Sequence, residues 1–214
     1  LPVIALDDAA QAVPLARALA AGGIPAAEIT FRTAAGEEAI RRIAQECPEV
    51  LVGAGTVLTT EQADRAINAG ARFIVSPGTN PKVVQHCQEQ GVQPVPGVVT
   101  PTEIETALEL GLDVLKFFPA EPSGGLGMIK ALAAPYTQIE FIPTGGISAA
   151  NVREYLKYPK ILACGGSWMV KKAAEAAAIV KSVREGRGYG EKGCDIRGDH
   201  AEAGTQRLLP FLSK

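Results

Sequence analysis

The sequence predicts a single-domain (β/α)8 TIM barrel of the α/β class. Eight short apolar runs, most of them rich in β-branched residues, recur along the chain, with their starts about 20 to 26 residues apart. Helical patterns separate these runs, and many of them end at glycine, a frequent stop signal for a helix. A closed parallel barrel needs eight strand–helix units, whereas an open doubly wound sheet, the rival architecture, usually has five or six strands.

The predicted elements follow one another in a regular order. In chain order, the predicted strands are Val3–Leu6, Ala27–Phe31, Val50–Gly55, Phe73–Gly78, Gln93–Val98, Val114–Ala120, Glu140–Gly146 and Ile161–Ser167. Helical patterns between them include residues 10–23, 60–70, 81–91, 100–111, 151–158 and 173–184. The barrel domain therefore spans residues 1–185.

The stretch 186–214 breaks the pattern because it is rich in glycine and mixed charge. We expect a solvated or loosely docked tail there. The alternative is a partner contact made by the apolar residues near its end, which are Leu208, Leu209, Phe211 and Leu212.

Composition excludes several classes of protein. The 214 residues carry a formal net charge of −2, which argues against a strongly basic nucleic-acid binder. No apolar run approaches the roughly 18 residues of a membrane helix. Four cysteines and two histidines are scattered, without the clustering of a disulfide framework or a zinc site. We therefore expect a cytoplasmic protein with free thiols, no metal, no nucleic-acid partner and no membrane contact.

The sixth predicted strand carries the most informative residue. Lys116 lies in the middle of the apolar run Val114–Ala120, and a lysine is almost never fully buried without a purpose. A desolvated amine is the nucleophile that forms Schiff bases with carbonyl substrates. The alternative is a structural ion pair with a carboxylate.

Glu28 is that carboxylate. Strand alternation in the second run places Glu28, Thr30 and Arg32 on one face and leaves Ile29 and Phe31 for the helices. Active sites of such barrels lie at the carboxyl ends of the strands, so these polar groups are candidates for catalysis or substrate binding.

Glycine pairs follow the last two predicted strands. Gly145–Gly146 and Gly165–Gly166 are expected to expose backbone amides where such barrels commonly hold phosphate, beside Ser167. A helix beginning near Ser148 would add the positive end of its dipole.

Six segments together resemble the 2-keto-3-deoxy-6-phosphogluconate (KDPG) and 4-hydroxy-2-ketoglutarate (KHG) aldolases, class I enzymes that work through a Schiff base. They are EITFRT at 28–33, GAGTV at 53–57, SPG at 76–78, LKFFPAE at 115–121, PTGGIS at 143–148 and GGSWMV at 165–170. The resemblance extends from about residue 1 to about residue 170 and keeps all six segments in order.

The resemblance implies a role for each matching residue. Lys116 would be the Schiff-base lysine and Glu28 the general acid and base. Arg32 and Thr56 would bind the pyruvyl carboxylate, while Pro77 and Phe118 would shape the site. Residues placed towards the phosphate would be Thr144, Gly145, Gly146 and Ser167. The resemblance further implies a small-molecule 2-keto acid substrate, no metal or other cofactor, and a homotrimer.

One departure leaves the substrate open. Family members often carry a basic residue where this chain has Asp7, and a carboxylate there would repel an anionic substrate. We expect cleavage of KDPG to pyruvate and glyceraldehyde 3-phosphate. Cleavage of 4-hydroxy-2-ketoglutarate, decarboxylation of oxaloacetate by the same imine chemistry, and a non-catalytic phosphosugar-binding barrel remain alternatives.

Overall fold

The computed structural model describes residues 1–170 and 207–213 of the chain. The strands in residues 1–170 are β1 Val3–Ile4, β2 Ala26–Thr30, β3 Leu51–Gly55, β4 Phe73–Val75, β5 Gln93–Val95, β6 Gly97–Val98, β7 Val114–Phe117 and β8 Glu140–Pro143. The helices there are α1 Ala12–Ala21, α2 Gly36–Glu46, α3 Thr60–Asn68, α4 Pro81–Glu89, α5 Pro101–Glu109, α6 Gly125–Ala133 and α7 Val152–Leu156. Strands and helices alternate along the chain in the (β/α) order of such a barrel, except that β6 follows β5 directly.

Neighbouring strands pair in parallel around the barrel. One run of pairing joins β1 to β5 in sequence order, and a second joins β6, β7 and β8. β5 and β6 are the two halves of the predicted fifth strand. They are separated at Pro96, which has no amide to donate to a ladder. The Pro96 carbonyl still accepts a hydrogen bond from the Lys116 amide at 2.9 Å, so the interruption stays attached to β7.

The predicted eighth strand closes the ring through single bridges. Bridges join Ile161 and Gly165 to the β8 side, and Gly166 to Pro2 beside β1. The Val3 amide donates to the Gly166 carbonyl at 2.9 Å. The segment therefore occupies the eighth position of the barrel, but as isolated bridges rather than the regular strand that the sequence predicts.

Local sequence signals explain where the helices begin and end. Thr100 and Glu103 form a reciprocal capping box at the start of α5, with proline next in the helix. Asn80 caps α4 with a single hydrogen bond, which its side chain accepts from the Lys82 amide, and proline is again next in the helix. α7 is shorter than the predicted helix 151–158, and the predicted helix 173–184 lies outside the described residues.

Three clusters of buried side chains hold the barrel together. The first packs α1 to α4 against the outside of β1 to β4 and contains Ile29, as the alternation of β2 predicts. The second packs the later helices against the outside of β6 to β8. A third, inner cluster contains Phe73, Val95, Val114 and Ile142 from the strands themselves. The strand faces that do not pack against helices therefore pack against one another inside the barrel.

The described part of the predicted tail is docked on the barrel. Residues 207–212 are helical, and Leu208 and Leu212 are buried in the inner cluster. Arg207 forms an ion pair with Glu140, the first residue of β8. The segment lies at the end of the barrel where the strands begin. The rest of the stretch 186–214 lies outside the described residues, so its solvation stays a prediction.

Three of the cysteines are buried free thiols: Cys47, Cys87 and Cys164. Burial raises the pKa of the Cys87 thiol to about 11 and that of Cys164 to about 12. Cys194 is outside the described residues. Within residues 1–170 and 207–213, no helix is long and apolar enough to cross a membrane.

Candidate active site

Lys116 lies at the centre of the barrel, on the inner face of β7. Only 6% of the residue is exposed, and its strand partners are Gly97 on β6 and Ile142 on β8. Val114, two residues earlier, belongs to the inner cluster, which agrees with the predicted alternation. The amine therefore lies inside the barrel, with apolar neighbours on the same face of the sheet.

Glu28 faces this amine from β2. Its Oε1 lies 3.6 Å from the Lys116 Nζ, and the residue is 1% exposed. This distance allows an ion pair but is too long for a hydrogen bond. Oε1 has no hydrogen-bond partner within the described residues. A buried carboxylate oxygen without a hydrogen bond is costly, so this atom is a candidate for moving protons.

Two glycines make room around this pair, Gly55 for the Glu28 carboxylate and Gly97 for the turn that carries Pro77. A Cβ added at Gly55 would lie 2.2 Å from Oε1 of Glu28, and one at Gly97 would lie 2.1 Å from the Pro77 carbonyl oxygen. Gly97 is also the strand partner of Lys116. Small residues near the barrel mouth are visible in the sequence, but only the three-dimensional contacts identify these two.

Arg32 and Thr56 lie at the rim beside the pair. Arg32 is exposed, and its Nε donates to Oγ1 of the buried Thr30 at 3.2 Å. Thr56 is half-buried and has a φ of 59°, in the left-handed region that a β-branched residue rarely adopts. Backbone strain of this kind clusters at functional sites, so the observation marks Thr56 independently of its sequence motif.

Phe118 lies against the lysine, and Pro77 lies beside Gly97, the strand partner of Lys116. The Phe118 ring centroid lies 5.0 Å from Nζ of Lys116, close enough for a cation–π contact with the charged amine. The Ser76 hydroxyl donates to the Gly78 carbonyl at 2.7 Å and thereby fixes the turn that carries Pro77. The sequence-predicted residues Lys116, Phe118 and Pro77 are thus close together.

The loop after β8 has the geometry expected of an anion-binding turn. Gly145 and Gly146 have φ values of 99° and 82°, which only glycine adopts readily. Their amides have no hydrogen-bond acceptor in the part of the chain that the structure describes. Thr144 is buried beneath this loop, and Ser167 is exposed beside the segment that closes the ring.

Two expectations about phosphate binding are corrected. The Gly165 amide donates to the Pro143 carbonyl at 2.9 Å, and the Gly166 amide donates to the Leu1 carbonyl at 3.1 Å. These groups close the barrel and are not free for an anion. The helix expected near Ser148 begins only at Val152, so no helix dipole is added at that point.

Glu121 and Tyr155 are absent from the sequence-predicted site. The Tyr155 hydroxyl donates to Oε1 of Glu121, directly beside the glycine loop after β8. The segment LKFFPAE includes Glu121, but nothing in the sequence links it to a tyrosine 34 residues later. The described residues hold no group of three or more metal-ligating side chains.

Comparison with known proteins gives a consistent result over most of the chain. A family model described as KDPG and KHG aldolase matches residues 1–183. The chain is 58% identical to the 2-dehydro-3-deoxy-phosphogluconate aldolase of Treponema pallidum (strain Nichols) over 183 residues, which are 86% of this chain and 87% of that protein.

Solved structures show the same likeness. The KDPG aldolase of Zymomonas mobilis ZM4, with 3-phosphoglycerate, superposes with a TM-score of 0.81 at 43% identity, over 84% of this chain and 88% of that one. The KDPG aldolase of Legionella pneumophila, with pyruvate captured at low pH as a covalent carbinolamine intermediate, gives 0.80 at 38% identity, over 86% and 89%.

Proposed function

This chain belongs to the KDPG and KHG aldolase family, and we propose that it cleaves 2-keto-3-deoxy-6-phosphogluconate to pyruvate and glyceraldehyde 3-phosphate through a Schiff base on Lys116. The observation that carries the proposal is the buried amine of Lys116, 3.6 Å from a carboxylate oxygen of Glu28 that has no hydrogen bond in the described part of the chain. A binding protein would need neither group in that position.

The first half of the reaction forms the imine. The neutral amine of Lys116 attacks the C2 ketone and gives a carbinolamine. Glu28 moves protons between nitrogen and oxygen so that water leaves and a protonated imine remains. The relative from Legionella pneumophila that holds pyruvate as a carbinolamine supports this step.

The second half breaks the carbon–carbon bond. Glu28, directly or through a water, takes the proton from the C4 hydroxyl, and the electrons of the C3–C4 bond flow into the protonated imine. Glyceraldehyde 3-phosphate leaves, and an enamine remains on Lys116. Protonation at C3 and hydrolysis then release pyruvate and restore the amine.

Substrate binding is assigned to the groups around the pair. Arg32 presents a planar guanidinium at the rim, which suits two carboxylate oxygens at once, and we assign Thr56 to the same carboxylate. For the phosphate we assign Thr144, Ser167 and the free amides of Gly145 and Gly146. The amides of Gly165 and Gly166 instead form backbone hydrogen bonds with the segments on either side.

The test is reductive trapping. Pyruvate and borohydride should add a reduced pyruvyl group to Lys116 of the wild type, located by peptide mass spectrometry. Lys116→Met should show no adduct and no cleavage, whereas the matched variant Lys157→Met, at an exposed lysine on the outer surface, should behave as wild type. A wild type without adduct, or cleavage by Lys116→Met, refutes the mechanism.

Cleavage of 4-hydroxy-2-ketoglutarate is the second candidate, and one observation favours it. Asp7 is exposed at the end of the segment that follows β1, and β1 is joined to the segment that carries Ser167, because the Val3 amide donates to the Gly166 carbonyl. A carboxylate here disfavours a doubly charged phosphate. The substrate with the higher kcat/KM is the preferred one. Asp7→Lys should raise kcat/KM for KDPG relative to that for 4-hydroxy-2-ketoglutarate.

Assembly, location and metal independence remain proposals. We propose that the protein is a cytoplasmic homotrimer. Light scattering after gel filtration measures the mass of the assembly and so tests the trimer directly. We also propose that no metal takes part, because protonation of the imine supplies the electron sink. Cleavage should therefore survive dialysis against EDTA, and a loss restored by one divalent cation would contradict this.

A further inference from the structure

A buried tyrosine joins two segments at the rim of the barrel. Tyr155, on α7, is 2% exposed, and its hydroxyl donates to Oε1 of Glu121, which follows β7. Burial and the Glu121 carboxylate both raise the pKa of the Tyr155 phenol. The hydroxyl therefore remains a proton donor throughout the working pH range.

Glu121 is also bound through its backbone to the loop after β8. The Ala120 amide donates to the Thr144 carbonyl at 2.8 Å, and the Glu121 amide donates to the Gly145 carbonyl at 3.0 Å. Two backbone hydrogen bonds therefore join the segment that follows the lysine strand to the glycine loop. The amides of Gly145 and Gly146 have no acceptor within the described residues.

The side chain of Glu121 fits against two glycines. A Cβ at Gly146 would lie 2.5 Å from Cβ of Glu121, and a Cβ at Gly125 would lie 2.9 Å from both Oε1 of Glu121 and the Tyr155 hydroxyl. Only glycines allow the carboxylate to pass between the loop and α6 and reach the tyrosine.

The other end of the loop is tied to the same region. Asn151 donates from Nδ2 to the Gly146 carbonyl at 3.1 Å and accepts at Oδ1 from the Ser148 amide at 2.8 Å. Asn151 immediately precedes α7, the helix that carries Tyr155. Glu121 therefore contacts the loop at Gly145, and Asn151 at the start of α7 contacts it at Gly146.

We propose that Glu121 and Tyr155 are positioning residues for the phosphate of the substrate: their hydrogen bond fixes the Gly145–Gly146 turn so that its two amides converge on the anion. Neither side chain needs to touch the substrate. This inference rests on the proposed function, because it takes the phosphate to bind at that turn. A flexible turn would still bind phosphate, but it would first have to be ordered, which weakens binding.

The test compares a phosphorylated ligand with one that lacks phosphate. For Tyr155→Phe and Glu121→Ala we expect KM for KDPG to rise roughly tenfold, as expected for one lost hydrogen bond to a charged group, with kcat within about twofold. The pyruvate concentration that half-saturates borohydride trapping on Lys116 should not change. Glu121→Gln keeps an acceptor for the hydroxyl and should restore most of the affinity.

Tyr136→Phe is the matched control, since the Tyr136 hydroxyl also donates to a glutamate, Glu105, at 2.8 Å, away from the glycine turn. It should leave both measurements unchanged. If Tyr155→Phe and Glu121→Ala weaken the binding of KDPG and of pyruvate equally, the two residues have a general structural role. If neither variant weakens KDPG binding, they do not position the turn. Either result overturns the proposal. A wild type that forms no adduct would instead refute the proposed function.

Discussion

A methyl group at Gly55 would lie 2.2 Å from Oε1 of Glu28, so the backbone of β3 and the carboxylate of β2 occupy adjoining space. Neither strand can easily move away, because they pair along their full length, from Ala26↔Leu51 to Thr30↔Gly55. The Glu28 carboxylate, the proposed acid and base, can therefore occupy its position only because residue 55 has no side chain.

Gly55→Ala should displace the carboxylate and lower kcat by about a hundredfold, the usual loss for a catalytic group moved by about 1 Å. Overpacking should also reduce the free energy of unfolding by about 1–3 kcal/mol. Steady-state kinetics and urea unfolding measure the two effects. Gly127→Ala is the control: it lies in α6 with open space around it, so activity should hold and stability rise by up to about 1 kcal/mol. A fully active Gly55→Ala would contradict the packing argument.

Thr56 is expected to trade stability for binding. Its φ of 59° costs a β-branched residue roughly 1–3 kcal/mol, and glycine removes that strain. Thr56→Gly should therefore be as stable as wild type or more stable, yet require more pyruvate for half-maximal trapping because the hydroxyl is lost. Thr102→Gly, in the first turn of α5, should instead lose a few tenths of a kcal/mol. A Thr56→Gly protein that is clearly destabilised would show that the conformation is not strained.

Glu103 makes part of the stability depend on pH. Burial alone would raise the pKa of its carboxyl, but hydrogen bonds from the Val99 and Thr100 amides outweigh it, so the pKa lies below its ordinary value. The stabilisation is therefore complete above the unfolded-state pKa and is lost as pH falls through the folded-state value. Glu103→Gln should cost about 0.5 kcal/mol at pH 7.

The same deficit should be smaller at pH 3 than at pH 7, because Glu103 loses its charge, and with it the advantage over glutamine, as the pH falls through its folded-state pKa. Urea unfolding at the two pH values measures it. Glu109→Gln, near the end of the same helix, has no capping partner and should show no deficit at either pH. A deficit of equal size at both pH values would mean that ionisation of Glu103 is irrelevant.

Leu212 tests the docking of the last turn of the chain. It is fully buried in the inner cluster, so Leu212→Ala should lower the free energy of unfolding by about 2–4 kcal/mol. kcat at 25 °C should stay within about twofold, because this end of the barrel is opposite the site. Leu209→Ala, at a half-buried position of the same turn, should cost less. Two variants of equal stability would show that the turn is not anchored by Leu212.

Much of this arrangement is predictable from local sequence. The position of Lys116 in an apolar strand and the alternation around Glu28 are properties of short segments, and the structure brings the two side chains to 3.6 Å. The barrel itself follows from eight evenly spaced apolar runs. Capping signals such as Thr100 and Glu103 are equally local, which is why the start of α5 agrees with the sequence.

Features created by closing the ring are not predictable in this way. A glycine pair looks the same in sequence whether its amides are free, as at Gly145–Gly146, or bonded to neighbouring strands, as at Gly165 and Gly166. The pairing of Glu121 with Tyr155 likewise depends on how two successive strand–helix units meet. Pro96 interrupts the predicted fifth strand because proline has no amide to donate. Hydrophobic periodicity does not detect this break, since it considers only the side chains.

The division of the outer core into two clusters gives the barrel a modular character. One cluster extends from Ile4 to Cys87 and the other from Val84 to Cys164, while Pro96 interrupts the sheet near their boundary. Glu28 belongs to the first module and Lys116 to the second. A chain cut at Pro96, between β5 and β6, would leave two fragments that each keep helices packed on their own strands, but neither would hold a complete acid–amine pair. Aldol cleavage would then return only when the fragments reassociate, which makes catalysis itself a reporter of barrel closure.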